Sequence, residues 1–178
     1  MTVDFKAKCH ILLSSRDIEA AVSRLAAEID RDYRHERPVL VAVLKGSFVF
    51  LADLIRQLDF PLEVDFISLS SYGSGQESSG RIKVRHDLRS DIAGRQVLVI
   101  EDIVDTGLTA SFLLDYLRSK GPASVRVCSL TDKPSRRLCP VHIDYLGFAV
   151  PDKFLVGYGL DCDEKFRNLP DICFMDEE

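Results

Sequence analysis

Apolar residues recur along this chain with two different periods, and the switches between them mark out its elements. Ile18, Val22, Leu25, Ala26 and Ile29 share one face at helical spacing, which predicts an amphipathic helix over 16–34 with Ser14 or Ser15 as N-cap. An unbroken apolar run predicts a strand over 39–44, then a helix from about 47 to 58 and a second strand from 62 to about 70, together a βαβ unit. The segment YGSGQESSGR, residues 72–81, is polar and rich in glycine and serine, which predicts a mobile loop bounded by strands, the next of them beginning near Ile82. Four aliphatic residues, VLVI at 97–100, predict a short buried strand. A helix over about 109–119 follows, stopped by Gly121 and Pro122, and then a strand near 125–130. Strands alternating with helices, without an internal repeat or a long linker, predict one domain, 1–178, of α/β class with a largely parallel central sheet flanked by helices.

Composition narrows the class further. Hydrophobic residues make up 46% of the 178 and charged ones 29%, a balance that supports a packed core and excludes a disordered chain. No apolar run approaches the roughly 20 residues that span a bilayer, and MTVDFKAKCH lacks the apolar core of a secretory signal, so a cytoplasmic protein without membrane contact is expected. The five cysteines (Cys9, Cys128, Cys139, Cys162, Cys173) form no CxxC pair and are odd in number; buried free thiols are expected rather than a disulfide framework or a zinc cluster. A net charge of -5 disfavours broad binding to nucleic acid, so any phosphate must be captured locally.

In an open parallel sheet that capture happens beyond the carboxyl ends of the strands. Polar residues gather there: Lys45-Gly46-Ser47 after the first strand, Ser70-Ser71-Tyr72 after the second, Glu101-Asp102 after VLVI, and Asp132-Lys133 after the strand near 125–130. Glu101 and Asp102 can hold a hydrated divalent cation or accept hydrogen bonds from a pair of sugar hydroxyls, or simply form a solvated strand end. Asp105-Thr106-Gly107-Leu108-Thr109 places a glycine and two hydroxyl residues at a helix start, where unpaired backbone N–H groups cradle phosphate, though a plain N-cap turn fits as well. The chain has neither GxxxxGK[ST] nor GxGxxG, so this is neither a P-loop nor a dinucleotide fingerprint. Acid pair and phosphate turn together point to a phosphorylated sugar.

VLVIEDIVDTGLTA, residues 97–110, resembles the phosphoribosyl pyrophosphate motif of the type I phosphoribosyltransferases, and its DTG variant resembles their hypoxanthine-guanine branch. The resemblance extends to Leu44-Lys45-Gly46 (the pyrophosphate loop), to Ser71-Tyr72 at the start of the flexible catalytic loop, to Lys133-Pro134, and to KFLVGYGLDCDEKFRNLP, 153–170, the base-covering segment. Cys162 and Asp163 depart from the aromatic and Asn residues expected after Asp161. The resemblance implies a small hood formed by the terminal segments, and a purine salvage enzyme that transfers the phosphoribosyl group of phosphoribosyl pyrophosphate to hypoxanthine or guanine with Mg2+ as cofactor. It implies sugar-phosphate contacts by Lys45, Gly46, Ser71, Tyr72, Glu101, Asp102, Asp105, Thr106, Gly107, Leu108, Thr109 and Arg167. Within that set, 105–109 would take the 5'-phosphate, and Lys45 and Arg167 the departing pyrophosphate. Asp105 would exchange the proton at purine N7. Lys133, Phe154, Leu155 and Asp161 would form the purine site, with Glu101, Asp102 and Asp161 near the metal. As bare residues, Asp105 serves equally as a helix cap and Phe154 is better explained by core packing. Relatives also carry a cis peptide matching Leu44-Lys45 and assemble as homodimers or homotetramers. Two competing readings stand beside this one: a non-catalytic regulator that binds RNA or protein, and an enzyme acting on adenine or orotate.

Overall fold

The computed structural model describes residues 9–72 and 81–175. Strand β1 (Cys9–Leu13) leads into helix α1 (Ser15–Tyr33), and Ser14 caps it in a capping box: its hydroxyl accepts from the Asp17 amide while its own amide donates to Asp17 Oδ2. The expected stripe, Ile18 to Ile29, is buried. Then come β2 (Val39–Leu44), α2 (Phe48–Ile55), β3 (Glu63–Tyr72), β4 (Arg81–His86), β5 (Gln96–Val104), α3 (Leu108–Arg118), β6 (Ser124–Asp132), β7 (Tyr145–Ala149), β8 (Leu155–Val156) and β9 (Ile172–Met175).

Six strands form the central sheet in the order β4-β3-β2-β5-β6-β7, parallel except for the edge pair β3–β4. The unbroken apolar character of β2 has a physical cause, since both faces of a parallel sheet are covered. Leu40 and Ala42 pack with α1 and α2, while Val39, Val41 and Val43 pack with Leu113 and Leu117 of α3. β1, β9 and β8 make a separate three-stranded antiparallel sheet from both ends of the chain, the hood.

Some boundaries differ from the sequence expectation. α2 stops at Ile55 rather than 58, because the amides of Gln57 and Leu58 bond three residues back and tighten the chain out of α geometry. β5 does not end at Ile100: backbone pairing continues through Glu101↔Ser129, Ile103↔Thr131 and Val104↔Asp132, so the acid pair lies within the strand. For the same reason β6 runs on to Asp132. Cys128 and Cys173 are buried free thiols, whereas Cys9, Cys139 and Cys162 are half-buried. The loop expected at 72–81 lies, apart from its two end residues, outside the described residues, as do the side chains of Ser71 and Tyr72. No helix among the described residues is long and apolar enough to cross a membrane.

Candidate active site

The carboxyl ends of β2, β5 and β6 converge under the hood, and each contributes a cluster. After β5 the chain turns through Asp105, Thr106 and Gly107, and α3 starts at Leu108. Gly107 is the N-cap in the left-handed region (φ 83°), and a Cβ there would sit 2.5 Å from the carbonyl oxygen of Cys139, so only glycine fits. The Thr106 carbonyl accepts from the amides of Leu138 (2.8 Å) and Cys139 (3.1 Å), which pins the turn from behind. The N-cap Gly107 has no side chain to cap α3, the Leu108 amide donates instead to the Thr106 hydroxyl at 3.4 Å, and Asp105 is not the helix cap. A cleft of about 220 Å³, lined by Glu101 and residues 103–107, 109 and 110, opens over this helix start.

Glu101 is buried and Asp102 half-buried, which rules out a solvated strand end. Burial pushes the Glu101 carboxyl well above its ordinary value, and the neighbouring Asp102 charge pushes it further. Asp102 is pushed up to about 6, chiefly by burial and also by Asp161, against the opposing pull of its own amide, the Ile103 amide and Arg167. Its carboxylate lies over Gly46: a Cβ on Gly46 would be 1.6 Å from Asp102 Oδ2. Glycine at 46 is what lets the loop after β2 approach the acid.

That loop contains a cis peptide at Leu44-Lys45 and is held by Ser47, whose buried hydroxyl donates to the Val43 carbonyl at 2.6 Å. Gly159 of the hood segment packs directly on it, since a Cβ at 159 would come within 2.0 Å of the Gly46 carbonyl oxygen. Arg167 fixes the hood segment in turn. Its NH1 donates to the Gly159 carbonyl (2.7 Å), and its NH2 is 2.8 Å from Asp161 Oδ1 and 3.2 Å from Glu164 Oε2. Lys45 Nζ donates to the same Glu164 oxygen at 3.0 Å. Lys45 and Arg167, 122 residues apart in the chain, are thus brought to one carboxylate.

A second cleft, about 510 Å³, is lined by Ile103, Asp105, Lys133, Phe154, Leu155 and Asp161 together with Arg136, Asp152 and Leu160. Lys133, directly behind β6, is only 5% exposed, and its Nζ lies 3.9 Å from Asp105 Oδ2. Asp105 Oδ1 lies 3.1 Å from Arg136 Nε but is not aligned with it, so this buried oxygen has no hydrogen-bond partner among the described residues. Phe154 is 57% exposed, against the core packing that its bare sequence context favoured: it is presented at the cleft mouth by the turn before β8. Leu155, the first residue of β8, pairs with Phe174 of β9.

Every expected site residue whose side chain is described therefore lies along this edge of the sheet or in the hood above it; Ser71 and Tyr72 are placed only by the backbone of β3. Sequence reasoning missed Arg136, Asp152 and Glu164. Each is a single charged residue with at least one partner remote in sequence. A larger cleft, about 750 Å³, runs between α1, α2 and residues 167–170, but its walls are mostly apolar and of the expected residues it includes only Arg167, so convergent chemistry places the site elsewhere.

Comparison with known proteins adds to this geometry. The family model for the phosphoribosyl transferase domain matches residues 10–163. The hypoxanthine-guanine phosphoribosyltransferase of Aquifex aeolicus is 48% identical over 171 residues, covering 96% of each chain, and that of Bacillus subtilis is 45% identical, covering 91% of this chain and 90% of the other. Among solved structures, a hypoxanthine-guanine phosphoribosyltransferase from Bacillus anthracis superposes with a TM-score of 0.89 at 46% identity, covering 94% of this chain and 98% of that one. A hypoxanthine phosphoribosyltransferase from Staphylococcus aureus superposes with a TM-score of 0.93 at 39% identity, covering 99% and 96%.

Proposed function

This chain belongs to the phosphoribosyltransferase family, among its hypoxanthine-guanine purine salvage enzymes, and from that premise we propose how its residues divide the reaction between them. The reaction joins N9 of a 6-oxopurine to the phosphoribosyl group of phosphoribosyl pyrophosphate and releases pyrophosphate. Positive charge develops on the ribose and negative charge on the leaving group, so groups placed against that separation lower the barrier.

The single observation that carries the assignment is the juxtaposition in the 510 Å³ cleft of a buried donor, Lys133, with the half-buried Asp105 carboxylate 3.9 Å away, whose Oδ1 faces Arg136 without an aligned hydrogen bond among the described residues. A 6-oxopurine satisfies both. Its O6 accepts from the ammonium group, and its N7–H donates to the carboxylate, which takes the proton as N9 becomes bonded. Phe154 covers the base, the backbone of Leu155 meets its edge, and Ile103 lies on the cleft wall. Amides and hydroxyls of 106–109 cradle the 5'-phosphate at the start of α3, and Gly46, Ser71 and Tyr72 complete the sugar-phosphate site. Lys45 and Arg167 neutralise the pyrophosphate; Arg167 Nε has no partner among the described residues.

The donors suit Mg2+. Glu101 and Asp102 are oxygen ligands with raised proton affinity, Asp161 stands near Asp102, and the described residues contain no cluster of three or more His, Cys, Asp or Glu side chains that would enclose a metal. A hydrated ion shared with phosphate oxygens needs no such cage. When bound, magnesium would withdraw charge from the pyrophosphate. We also infer that the chain works as one domain in the cytoplasm and as a homodimer or homotetramer. The apolar cleft beside α2, with Phe48 44% exposed, supports a face between copies.

Asp105→Asn tests the assignment. The variant should fold and bind phosphoribosyl pyrophosphate, while kcat with hypoxanthine falls about 10²- to 10⁴-fold. An unchanged kcat would remove Asp105 from the proton transfer.

A further inference from the structure

The contact of Glu164 with both Lys45 and Arg167 has no role in the scheme above. We infer that Glu164 is a competing anion: its carboxylate occupies the position between Lys45 and Arg167 that pyrophosphate needs, and substrate binding must displace it. The inference rests on the assignment of those two cations to pyrophosphate.

One oxygen, Oε2, is 3.0 Å from Lys45 Nζ and 3.2 Å from Arg167 NH2, so a single carboxylate oxygen bridges cations from the β2 loop and the hood segment, as a phosphate oxygen would. The two cations, Lys45 foremost, hold the Glu164 carboxyl below its ordinary value, so it is an anion at neutral pH. Glu164 and pyrophosphate compete for these N–H donors and for the positive charge behind them.

The backbone supplies a second, independent observation. Cys162 and Lys165 exchange amide-to-carbonyl hydrogen bonds, both 3.1 Å, across a two-residue turn whose central residues Asp163 (φ 52°) and Glu164 (φ 62°) are both left-handed. Such a type I′ turn favours Asn, Asp or Gly at the first central position, which Asp163 satisfies, and Gly at the second, where Glu164 carries a conformational cost. The Glu164 amide donates to Asp161 Oδ2 at 2.8 Å, which clamps the turn and directs it toward the cations. A glutamate held where glycine would fit more easily points to a task for its side chain.

The contact is also weak enough to yield. Lys45 and Glu164 side chains are 64% and 65% exposed, so water and salt screen their attraction. Exposed pairs of this kind are worth about 1.4- to 5-fold each in an equilibrium constant. Two contacts of that size with one carboxylate multiply, so removal of the charge is worth about 2- to 25-fold in affinity for the competing anion.

Two variants test this. Glu164→Gln removes the charge and keeps the size, and Glu164→Gly also suits the left-handed backbone, so at least one should fold. Inorganic pyrophosphate is titrated calorimetrically into each variant in magnesium chloride, at low and at high ionic strength. Both variants should bind it about 2- to 25-fold more tightly than the parent at low ionic strength, with a smaller gain at high, and KM for phosphoribosyl pyrophosphate should fall in parallel while KM for hypoxanthine does not. Affinity that is unchanged or weaker in both folded variants would overturn the inference and reduce Glu164 to a brace for Arg167. Lys45→Met separates the two levels of the reading. Weakened pyrophosphate binding by Lys45→Met without tightening by Glu164→Gln sinks the competition alone; unchanged binding by Lys45→Met sinks the subsite and the competition with it.

Discussion

Replacing Asp102 with Asn should stabilise the protein at neutral pH while weakening its magnesium-dependent grip on phosphoribosyl pyrophosphate. Burial raises the Asp102 carboxyl from 3.8 to about 6, and the nearby Asp161 charge adds to this. A raised value means that the folded state binds the proton more tightly than the unfolded chain does. The cost of ionising the group inside the fold therefore sets in as pH rises past the ordinary value and is fully present above about 6. A gap of about two pK units at about 1.36 kcal/mol each gives roughly 3 kcal/mol lost at pH 7. Asn is neutral throughout, matches the space over Gly46 and keeps one oxygen to accept from the backbone amides of Asp102 and Ile103. Without divalent cation, Asp102→Asn should therefore gain up to about 3 kcal/mol at pH 7, a Tm rise of about 6–12 °C for a chain of this size. The advantage should shrink toward zero near pH 4, where the parent carboxyl is largely protonated. Thermal and urea unfolding followed by circular dichroism, with chelator at both pH values, measures it. A variant no more stable than the parent at pH 7, or one equally advantaged at pH 4, would refute the reasoning.

Two further substitutions probe the base site. Lys133→Gln should lower kcat/KM with hypoxanthine and guanine and narrow their advantage over adenine, because an amide presents either a donor or an acceptor to the 6-position; steady-state kinetics with an unchanged preference ratio would show that Lys133 does not read it. Phe154→Ala removes a ring that is 57% exposed, so unfolding free energy should stay within about 0.5 kcal/mol of the parent, while KM for the purine rises. A large loss of stability would instead restore a packing role.

Sequence patterning delivered α1 through its regular apolar face, β2 through an unbroken apolar run and α3 through its Gly121-Pro122 stop, but neither β7 nor the order of strands in the sheet. The hood strands gave little periodic signal: β8 is two residues long and β9 four, and both are specified by partners far along the chain. The apolar run of β5 stops at Ile100 while its ladder runs on to Val104, since backbone pairing is indifferent to the polarity of Glu101 and Asp102. The acid pair, the phosphate turn and Lys133 were legible because strand ends in a parallel sheet concentrate polar chemistry. Arg136 at Asp105, and Glu164 between Lys45 and Arg167, were not. Glu164 gains its significance only when the hood segment folds over the sheet, and Arg136 only when the segment after β6 comes against the turn after β5; neither residue type nor local spacing distinguishes them from solvated surface charges.

The central claim, that this fold transfers a phosphoribosyl group to a 6-oxopurine, is tested most directly by incubating the protein with magnesium, phosphoribosyl pyrophosphate and one base at a time, and measuring nucleoside monophosphate and pyrophosphate. Hypoxanthine and guanine should each yield both products in equal amounts, while adenine and orotate yield neither above background. Turnover of adenine or orotate in preference to the 6-oxopurines would contradict the reading of Lys133 and Asp105, and no product with any base would contradict the enzyme itself.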